Sequence, residues 1–237
     1  MTVQDRIAEV RDFLKTRLTD IHAIQAHPDN LPIMQAVLYS SFIDALGATR
    51  YGSNVDTRDR FTRVIIEHGD WSEAEKVCPM HLHRFLEISP GLPELKQRMA
   101  NVIDDWRANQ DGVIYLDLAP TKDDIAELWP DNGARKHHRK TLDHFTHVNL
   151  LYGMRNGLLH QQYAARGLPA CPKELENAHY IFWNRYEQDG SLELIHPSRF
   201  LSGLCDTLLE NVMNDFEEKS RKPWGIGHFS NYLIDGL

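Results

Sequence analysis

The chain has 237 residues, of which 42% are apolar and 25% are charged, and its formal net charge is −8 at pH 7. This length allows a sizeable buried core, and the composition excludes an intrinsically disordered chain. The longest uncharged apolar stretches, such as residues 148–154, are far shorter than the roughly 20 residues of a membrane span. Charged residues among the first ten positions do not fit a signal peptide. We therefore expect a cytoplasmic protein that has no membrane partner.

Cysteine usage and charge exclude further classes. Cys78, Cys171 and Cys205 are odd in number and far apart, so neither a disulfide framework nor a cysteine-based zinc site is expected. The acidic balance argues against nonspecific coating of nucleic acid, although it is compatible with a local basic site. The 13 histidines raise metal and acid–base hypotheses.

Apolar periodicity and turn residues predict a series of helices in the first part of the chain. Their expected ranges are 3–18, 32–48, 57–68, 79–87 and 93–109. Residues 113–118 favour a short β-strand. Thr121 and Asp124 fit a capping box at the start of a helix that ends before Pro130. An Asp-Asn-Gly turn at 131–133 then precedes a long helix, predicted to begin near residue 134 and to run through Arg155.

The last third combines a hairpin with a helix. Alternating apolar residues around 179–183 and 192–195, with a turn at Asp189-Gly190, predict a β-hairpin, and residues 197–217 predict a helix. We expect Tyr180, Phe182 and Trp183 to pack against the helices rather than to stack on bases. The expected architecture is one mainly α-helical domain over 1–237, with a small β-hairpin insertion before the last helix. Its predicted segments are N-terminal helices (1–130), a motif helix (134–168), the hairpin (178–196), the final helix (197–217) and a tail (218–237).

The most informative segment spans residues 149–161, where Tyr152, Arg155, Asn156 and His160 interrupt an apolar helix. It resembles the HEPN superfamily of all-α ribonucleases and RNA-associated domains, whose hallmark is an arginine, commonly followed by a polar residue such as asparagine, and a histidine four to six residues later. Other arginines also precede a histidine by five positions, at Arg17/His22, Arg63/His68 and Arg139/His144. Only Arg155 is followed by asparagine within a strongly apolar helix late in the chain.

Helical geometry constrains how this motif can act. Five residues at 100° each place Arg155 and His160 about 140° apart around the helix axis, so one ideal helix cannot bring them together. Two copies facing each other across a two-fold axis can, which matches the composite dimer site that the resemblance implies. Asn156 lies four residues before His160, near Tyr152, and we expect it to orient the imidazole. Gly157 lies inside the motif and favours a bend or an interruption there.

The residue types fit RNA cleavage without a metal or cofactor. Histidine titrates nearest to neutral pH and suits proton transfer at the 2′-hydroxyl or the leaving oxygen. The arginine guanidinium can stabilise charge on the scissile phosphate. The resemblance implies a homodimeric endoribonuclease that leaves 2′,3′-cyclic phosphate and 5′-hydroxyl ends, with RNA as substrate, a cognate inhibitor or antitoxin as partner, and a defence or toxin role.

Further residues are supporting candidates. Asp44 interrupts an apolar helix, so it needs a partner such as Arg50 or a motif residue. The only basic run has two interpretations, an RNA phosphate contact or a solvated face; its candidate residues are Arg135, Lys136, Arg139 and Lys140. The pairs His144/His147 and His81/His83 have no evident third ligand, so no metal site is expected.

Two other functions stay open at this stage. The main alternative is a noncatalytic HEPN-like helical module in which Arg155 and His160 stabilise a dimer or recognise RNA or another partner. The weaker one is a nucleotide-handling subunit that works beside a separate enzyme.

Overall fold

The computed structural model describes residues 2–27, 30–52, 54–109, 112–131, 133, 135–161, 175–183 and 191–223. Over these residues the protein is mainly α-helical with a small antiparallel sheet, as predicted. The helices are α1 (Val3–His22), α2 (Leu31–Tyr51), α3 (Thr57–His68), α4 (Pro79–Ile88), α5 (Pro93–Asn109), α6 (Asp123–Ala126), α7 (His147–Gln161) and α8 (Ser198–Glu218), and the strands are β1 (Val113–Tyr115), β2 (His179–Trp183) and β3 (Ser191–Ile195).

Local capping signals explain where several helices begin. The Thr2 hydroxyl accepts a hydrogen bond from the Asp5 backbone N–H, and the Asp5 carboxylate accepts one from the Thr2 N–H, which forms a capping box at the start of α1. Thr121 and Asp124 make the same reciprocal pair before α6, as predicted. Because these contacts lie within four residues, the sequence alone is sufficient to predict them.

Helix α2 lies at the centre of the largest apolar cluster. It packs against α1, α3, α7 and α8, and its buried side chains include Tyr39, Phe42, Ile43 and Leu46. An 18-residue window of α2 has a mean hydropathy of 1.3, so by length and composition alone this helix could also cross a membrane. Its uncharged run, residues 31–43, is longer than the apolar stretch at 148–154. In the structure, the apolar faces of the surrounding helices cover its inward side.

The prediction of a long helix over 134–168 is wrong in its first part, because α7 begins at His147. Residues 142–145 form a single 3₁₀ turn instead. The backbone N–H groups of His147 and Val148 donate to the carbonyls of Lys76 and Ala74, and the Phe145 carbonyl accepts from the Cys78 N–H. These groups are therefore paired with a distant segment and cannot continue a helix backwards. Residues 162–174 lie outside the described residues.

The predicted hairpin is confirmed and belongs to a larger sheet. Strands β2 and β3 pair antiparallel, with Tyr180 opposite Leu194, and β1 adds to the other edge of β2, with Ile114 opposite Tyr180. Tyr180 is fully buried, which confirms packing as its role. Phe182 packs at the edge of the same cluster, while the Trp183 side chain, the Asp189-Gly190 turn and the tail from residue 224 lie outside the description.

The close approach of α2 and α3 at Gly47 gives a test of the packing. An added Cβ at Gly47 would lie 2.8 Å from the backbone oxygen of Arg60, so Gly47→Ala is expected to lower the free energy of unfolding by about 1–3 kcal/mol. Gly203 in α8 has no atom within 4 Å of an added Cβ, so Gly203→Ala is expected to raise it by about 0.5–1 kcal/mol. Urea unfolding of both variants measures the two changes. Equal effects at the two sites would contradict the packing of α2 on α3.

Candidate functional site

The motif lies on one continuous helix. Helix α7 runs from His147 to Gln161 without a break at Gly157, so the expected bend or interruption is absent from it. A Cβ added at Gly157 would meet no atom within 4 Å. Since the helix is regular over 155–160, the separation of about 140° between Arg155 and His160 holds in the folded chain. The side chain of His160 lies outside the described residues.

Arg155 is bound to α2 through Asp44. Its Nε donates to Asp44 Oδ2 at 2.7 Å, and its Nη2 contacts the same oxygen. The two side chains are only 14% and 12% exposed, so this ion pair is largely desolvated. The expectation that Asp44 pairs with Arg50 or with a motif residue is thus resolved in favour of the motif. Arg50 instead places its Nε 3.1 Å from Asp215 Oδ2.

The environment of Asp44 is unusual for an ion-paired carboxylate. Its Oδ1 is buried and has no hydrogen-bond partner among the described residues. Burial raises the pKa of the Asp44 carboxyl above its usual range, and the opposing effects of Arg155 and Arg60 only partly offset that increase. Asp44 therefore lies at a costly position that the fold maintains only because Arg155 faces it.

Tyr152 and Asn156 complete the surroundings of the guanidinium. The Arg155 guanidinium lies 5.7 Å from the centre of the Tyr152 ring, which in turn packs against Phe61. The Arg155 Nη1 donates to Asn156 Oδ1 at 2.7 Å. The Asn156 oxygen thus orients the arginine. The predicted contact of Asn156 with the imidazole of His160 involves a side chain outside the description and stays a prediction.

The contacts that Arg155 makes with described residues do not use all of its hydrogen-bonding capacity. A guanidinium carries five N–H donors, and the contacts with Asp44 and Asn156 use three of them. The remaining two are on the Nη atoms, which are the natural donors to a phosphate oxygen. Arg155 is therefore a cation whose orientation is fixed by its contacts with Asp44, Asn156 and Tyr152.

The basic run forms an exposed turn and does not begin a helix. His138 and Arg139 have φ values of 45° and 70°, which reverses the chain between His137 and Lys140. Trp129 Nε1 anchors this turn by donating to the Arg135 carbonyl at 2.7 Å. Since the run is not a helix N-terminus, the macrodipole does not disfavour its charges. Its four candidate cations, Arg135, Lys136, Arg139 and Lys140, are exposed.

Arg58 is a neighbour of the motif that the sequence did not indicate. Its Nε donates to Asn149 Oδ1 in the first turn of α7 at 2.8 Å, and its Nη1 lies 3.2 Å from His144 Nε2. Arg58 belongs to α3 and is separated from these partners by more than 80 residues. No local spacing pattern could have identified it, because the contact exists only after α3 and α7 have packed together.

His144 and His147, which are three residues apart, contact different partners. His144 contacts Arg58, whereas His147 is buried and lies 2.7 Å from the Glu73 carbonyl and 2.6 Å from the Tyr180 hydroxyl. Over the part of the chain with described side chains, no three His, Cys, Asp or Glu residues are arranged to hold a metal. His147 therefore belongs to a buried polar network between α7 and the sheet.

A cavity of about 800 Å³ among the described residues does not include the motif. It lies between the start of α8 and the loop after α3, and Trp71 and Phe200 contribute its aromatic lining. Most of its charged side chains are acidic, namely Asp70, Glu73, Asp117, Glu176 and Asp206. Such a lining repels phosphate, so this cavity is a poor site for RNA.

We compared the chain with protein-family models, curated proteins and solved structures, and none of them matches it.

The ion pair between α2 and α7 should show strong coupling. Asp44→Leu leaves the Arg155 guanidinium without its carboxylate and is expected to lower the free energy of unfolding by about 2–3 kcal/mol. Combining Asp44→Leu with Arg155→Met should cost clearly less than the sum of the two single changes. Arg63→Gln, which removes the exposed pair of Arg63 with Glu67, is the control and should cost less than about 1 kcal/mol. Additive single and double changes would show that the pair is not coupled.

Buried histidines should make the fold sensitive to acid. Burial is the main cause that lowers the pKa of His147 to about 4 and that of His196 to about 3, below the ordinary value of 6.5. The unfolded chain therefore binds protons first, and stability that is complete above pH 6.5 is lost as the pH falls towards 4. Each such histidine contributes a slope of about 1.4 kcal/mol per pH unit.

Chemical denaturation between pH 8 and pH 4 measures this slope. His147→Gln should reduce the slope of the free energy of unfolding against pH by about 1.4 kcal/mol per pH unit. The matched change His138→Gln, at an exposed histidine, should leave the slope unchanged. A wild-type stability that stays constant from pH 6.5 to pH 5 would contradict the neutral, buried state of these rings.

Proposed function

We propose that this protein is a HEPN-like, homodimeric, metal-independent endoribonuclease. The observation that supports it best is the arrangement of Arg155, which Asp44 and Asn156 hold in one orientation with two N–H donors that no described residue uses. Transition-state stabilisation requires a cation fixed before the reaction begins, and such preorganisation is the main source of electrostatic catalysis.

The geometry of α7 favours a site that two chains share. Because the helix is regular, positions 155 and 160 lie about 140° apart around its axis, and in this proposal a single chain does not present both to one phosphate. A two-fold arrangement of two α7 helices brings the arginine of one chain towards the histidine of the other. In this proposal each dimer contains two composite sites.

The surface of α7 suits the close approach of a second helix. Gly153 and Gly157 lie four residues apart on adjacent turns, and an added Cβ at either position would meet no atom of its own chain within 4 Å. Gly153 is exposed. Small residues at such positions let two helix backbones come near each other. Both glycines lie within about 60° of position 160 around the helix axis, so a second helix packed on them would approach that position.

In the proposed reaction, the 2′-oxygen of the ribose attacks the adjacent phosphorus and the bond from phosphorus to the 5′-oxygen breaks. His160 transfers the proton, taking it from the 2′-hydroxyl or delivering it to the departing 5′-oxygen. Arg155 binds the non-bridging phosphate oxygens while negative charge develops on them. The products are a 2′,3′-cyclic phosphate and a 5′-hydroxyl. The exposed cations of the basic run would hold the flanking strand.

One observation favours the noncatalytic alternative. The Asp44 carboxylate already neutralises Arg155, and a paired arginine attracts a phosphate less strongly than a free one. In that case the protein is a helical interaction module in which the same residues stabilise a dimer or bind RNA without cleaving it. The family resemblance would then extend to the fold but not to catalysis.

Mixing two inactive variants distinguishes a shared site from a site within one chain. Arg155→Ala and His160→Ala are each expected to abolish cleavage. A heterodimer of the two contains one intact composite site, so co-refolding them in equal amounts should restore about a quarter of wild-type activity. The measurement is the cleavage rate of a labelled RNA together with the mass of the dimer by light scattering.

The controls are Arg17→Ala with His22→Ala, since this pair has the same spacing on α1 and should leave activity unchanged. Gly153→Leu should reduce both dimerisation and cleavage while the thermal stability of the chain is retained. Cleavage by a monomer would contradict the composite site. So would a failure to recover activity when the two variants are mixed and shown to dimerise. Equal loss of activity in the controls would show that the site is assigned to the wrong residues.

A further inference from the structure

Two basic side chains face each other beside the first turn of α7. The Nη1 of Arg58 lies 3.2 Å from Nε2 of His144, and both side chains are partly exposed to solvent. On its other side, the His144 Nδ1 lies 3.2 Å from the backbone nitrogen of Thr141 and 3.1 Å from the Thr141 hydroxyl. The imidazole is thus fixed in place between the 3₁₀ turn and α3.

Neither neutral form of His144 satisfies all of these contacts. If Nδ1 accepts from the Thr141 N–H, the ring proton is on Nε2 and points at an N–H of Arg58. If the proton is on Nδ1, the Thr141 hydroxyl can accept it and Nε2 can accept from Arg58, but the Thr141 N–H then loses its acceptor. Each tautomer therefore leaves one N–H donor of this group without an acceptor. Protonation makes the conflict worse, and burial, Arg58 and Lys140 together lower the pKa of His144.

Nearby carboxylates do not resolve the conflict. Asp143 favours the charged form of His144, but its carboxylate accepts from Lys122 Nζ at 3.1 Å. Asp56 accepts from the Arg58 backbone N–H as the cap of α3, and Asp59 is exposed on the next turn. Among the described side chains, no carboxylate oxygen lies within 4.0 Å of the Arg58 guanidinium. An anion placed between Arg58 and His144 would accept from both.

The pair lies on the same side of α7 as Asn156 and position 160. Positions 149, 156 and 160 fall within about 40° of one another around the helix axis, and position 160 is about 16 Å further along it than position 149. Arg58 contacts Asn149 at one end of this face, and Lys140 of the basic turn is close enough to affect the pKa of His144. A strand that lies along α7 would pass both places.

We infer that Arg58 and His144 form a phosphate subsite that binds the RNA backbone about three turns before position 160, on the same face of α7. The inference rests on the proposed function for its substrate class, but the geometry of the subsite stands independently of any cleavage. The bound phosphodiester would accept from Arg58 Nη1 and from the proton on His144 Nε2, while His144 Nδ1 continues to accept from Thr141. The N–H of Arg58 and the N–H of His144 would then both have an acceptor. The imidazole would still accept the hydrogen bond from Thr141 that caps the 3₁₀ turn.

The first arm of the test uses inorganic phosphate and does not depend on RNA. The imidazole signal of His144 is followed by NMR against pH, in phosphate and in chloride at equal ionic strength, and it is assigned with His144→Gln. That variant retains a capping acceptor at the third position of the turn and should fold. Phosphate is expected to raise the pKa of His144 by about one unit, which corresponds to roughly tenfold tighter binding to the charged ring. In Arg58→Gln this shift should be lost.

The second arm uses a 2′-O-methyl oligoribonucleotide, which cannot undergo attack by its 2′-oxygen. Arg58→Gln and His144→Gln are each expected to weaken its binding about tenfold, and Arg58→Gln should lower the slope of log affinity against log salt by about 0.7. Arg63→Gln is the matched control, because it removes one cation from the same helix where Glu67 already pairs with it. This control should retain wild-type affinity and slope.

The two arms separate failure of the subsite from failure of the proposed function. If the wild-type protein binds no oligonucleotide, RNA is the wrong ligand, and a phosphate-dependent shift of His144 still supports the subsite. If phosphate leaves the pKa of His144 unchanged, or if Arg58→Gln binds the oligonucleotide as Arg63→Gln does, the subsite is overturned.

Discussion

The ion pair between Asp44 and Arg155 is the constraint on which the proposed site depends. A carboxylate in the middle of the most apolar helix is costly to bury, and only a charge from a second helix can compensate for it. Arg155 provides that charge from α7, so the pair fixes the rotation of α7 about its axis relative to α2. Once this rotation is fixed, the helix period determines where Asn149, Gly153, Asn156 and position 160 lie.

This arrangement explains why stability and the proposed activity would share residues. The contacts that compensate for the burial of Asp44 also orient the Arg155 guanidinium, which lies close to the Tyr152 ring. A side chain fixed by packing and by a partner carboxylate loses little entropy when a phosphate binds. The same pairing reduces the net charge offered to the phosphate, and the cations of the basic turn and Arg58 lie where they can contribute positive potential.

Much of the fold could be predicted because its signals are local. The bounds of α3 and α5 agree with those expected from the sequence, since caps, prolines and apolar periodicity act within a few residues. The beginning of α7 could not be predicted, because the backbone groups at 145–148 pair with the segment at 74–78. The same limit applies to the site. A buried Asp44 predicts some cationic partner, but only tertiary packing selects Arg155 over Arg50, and only packing brings Arg58 to Asn149.

The central claim is that this fold cleaves RNA without a metal, using the residues around Arg155. Its most direct test incubates the purified protein with a labelled RNA in EDTA and identifies the ends of the fragments. The account predicts cleavage that persists in EDTA, leaves 2′,3′-cyclic phosphate and 5′-hydroxyl ends, and disappears in His160→Ala prepared in the same way. Cleavage that requires added Mg²⁺, cleavage equal in His160→Ala, or intact RNA after incubation with a verified dimer would contradict it.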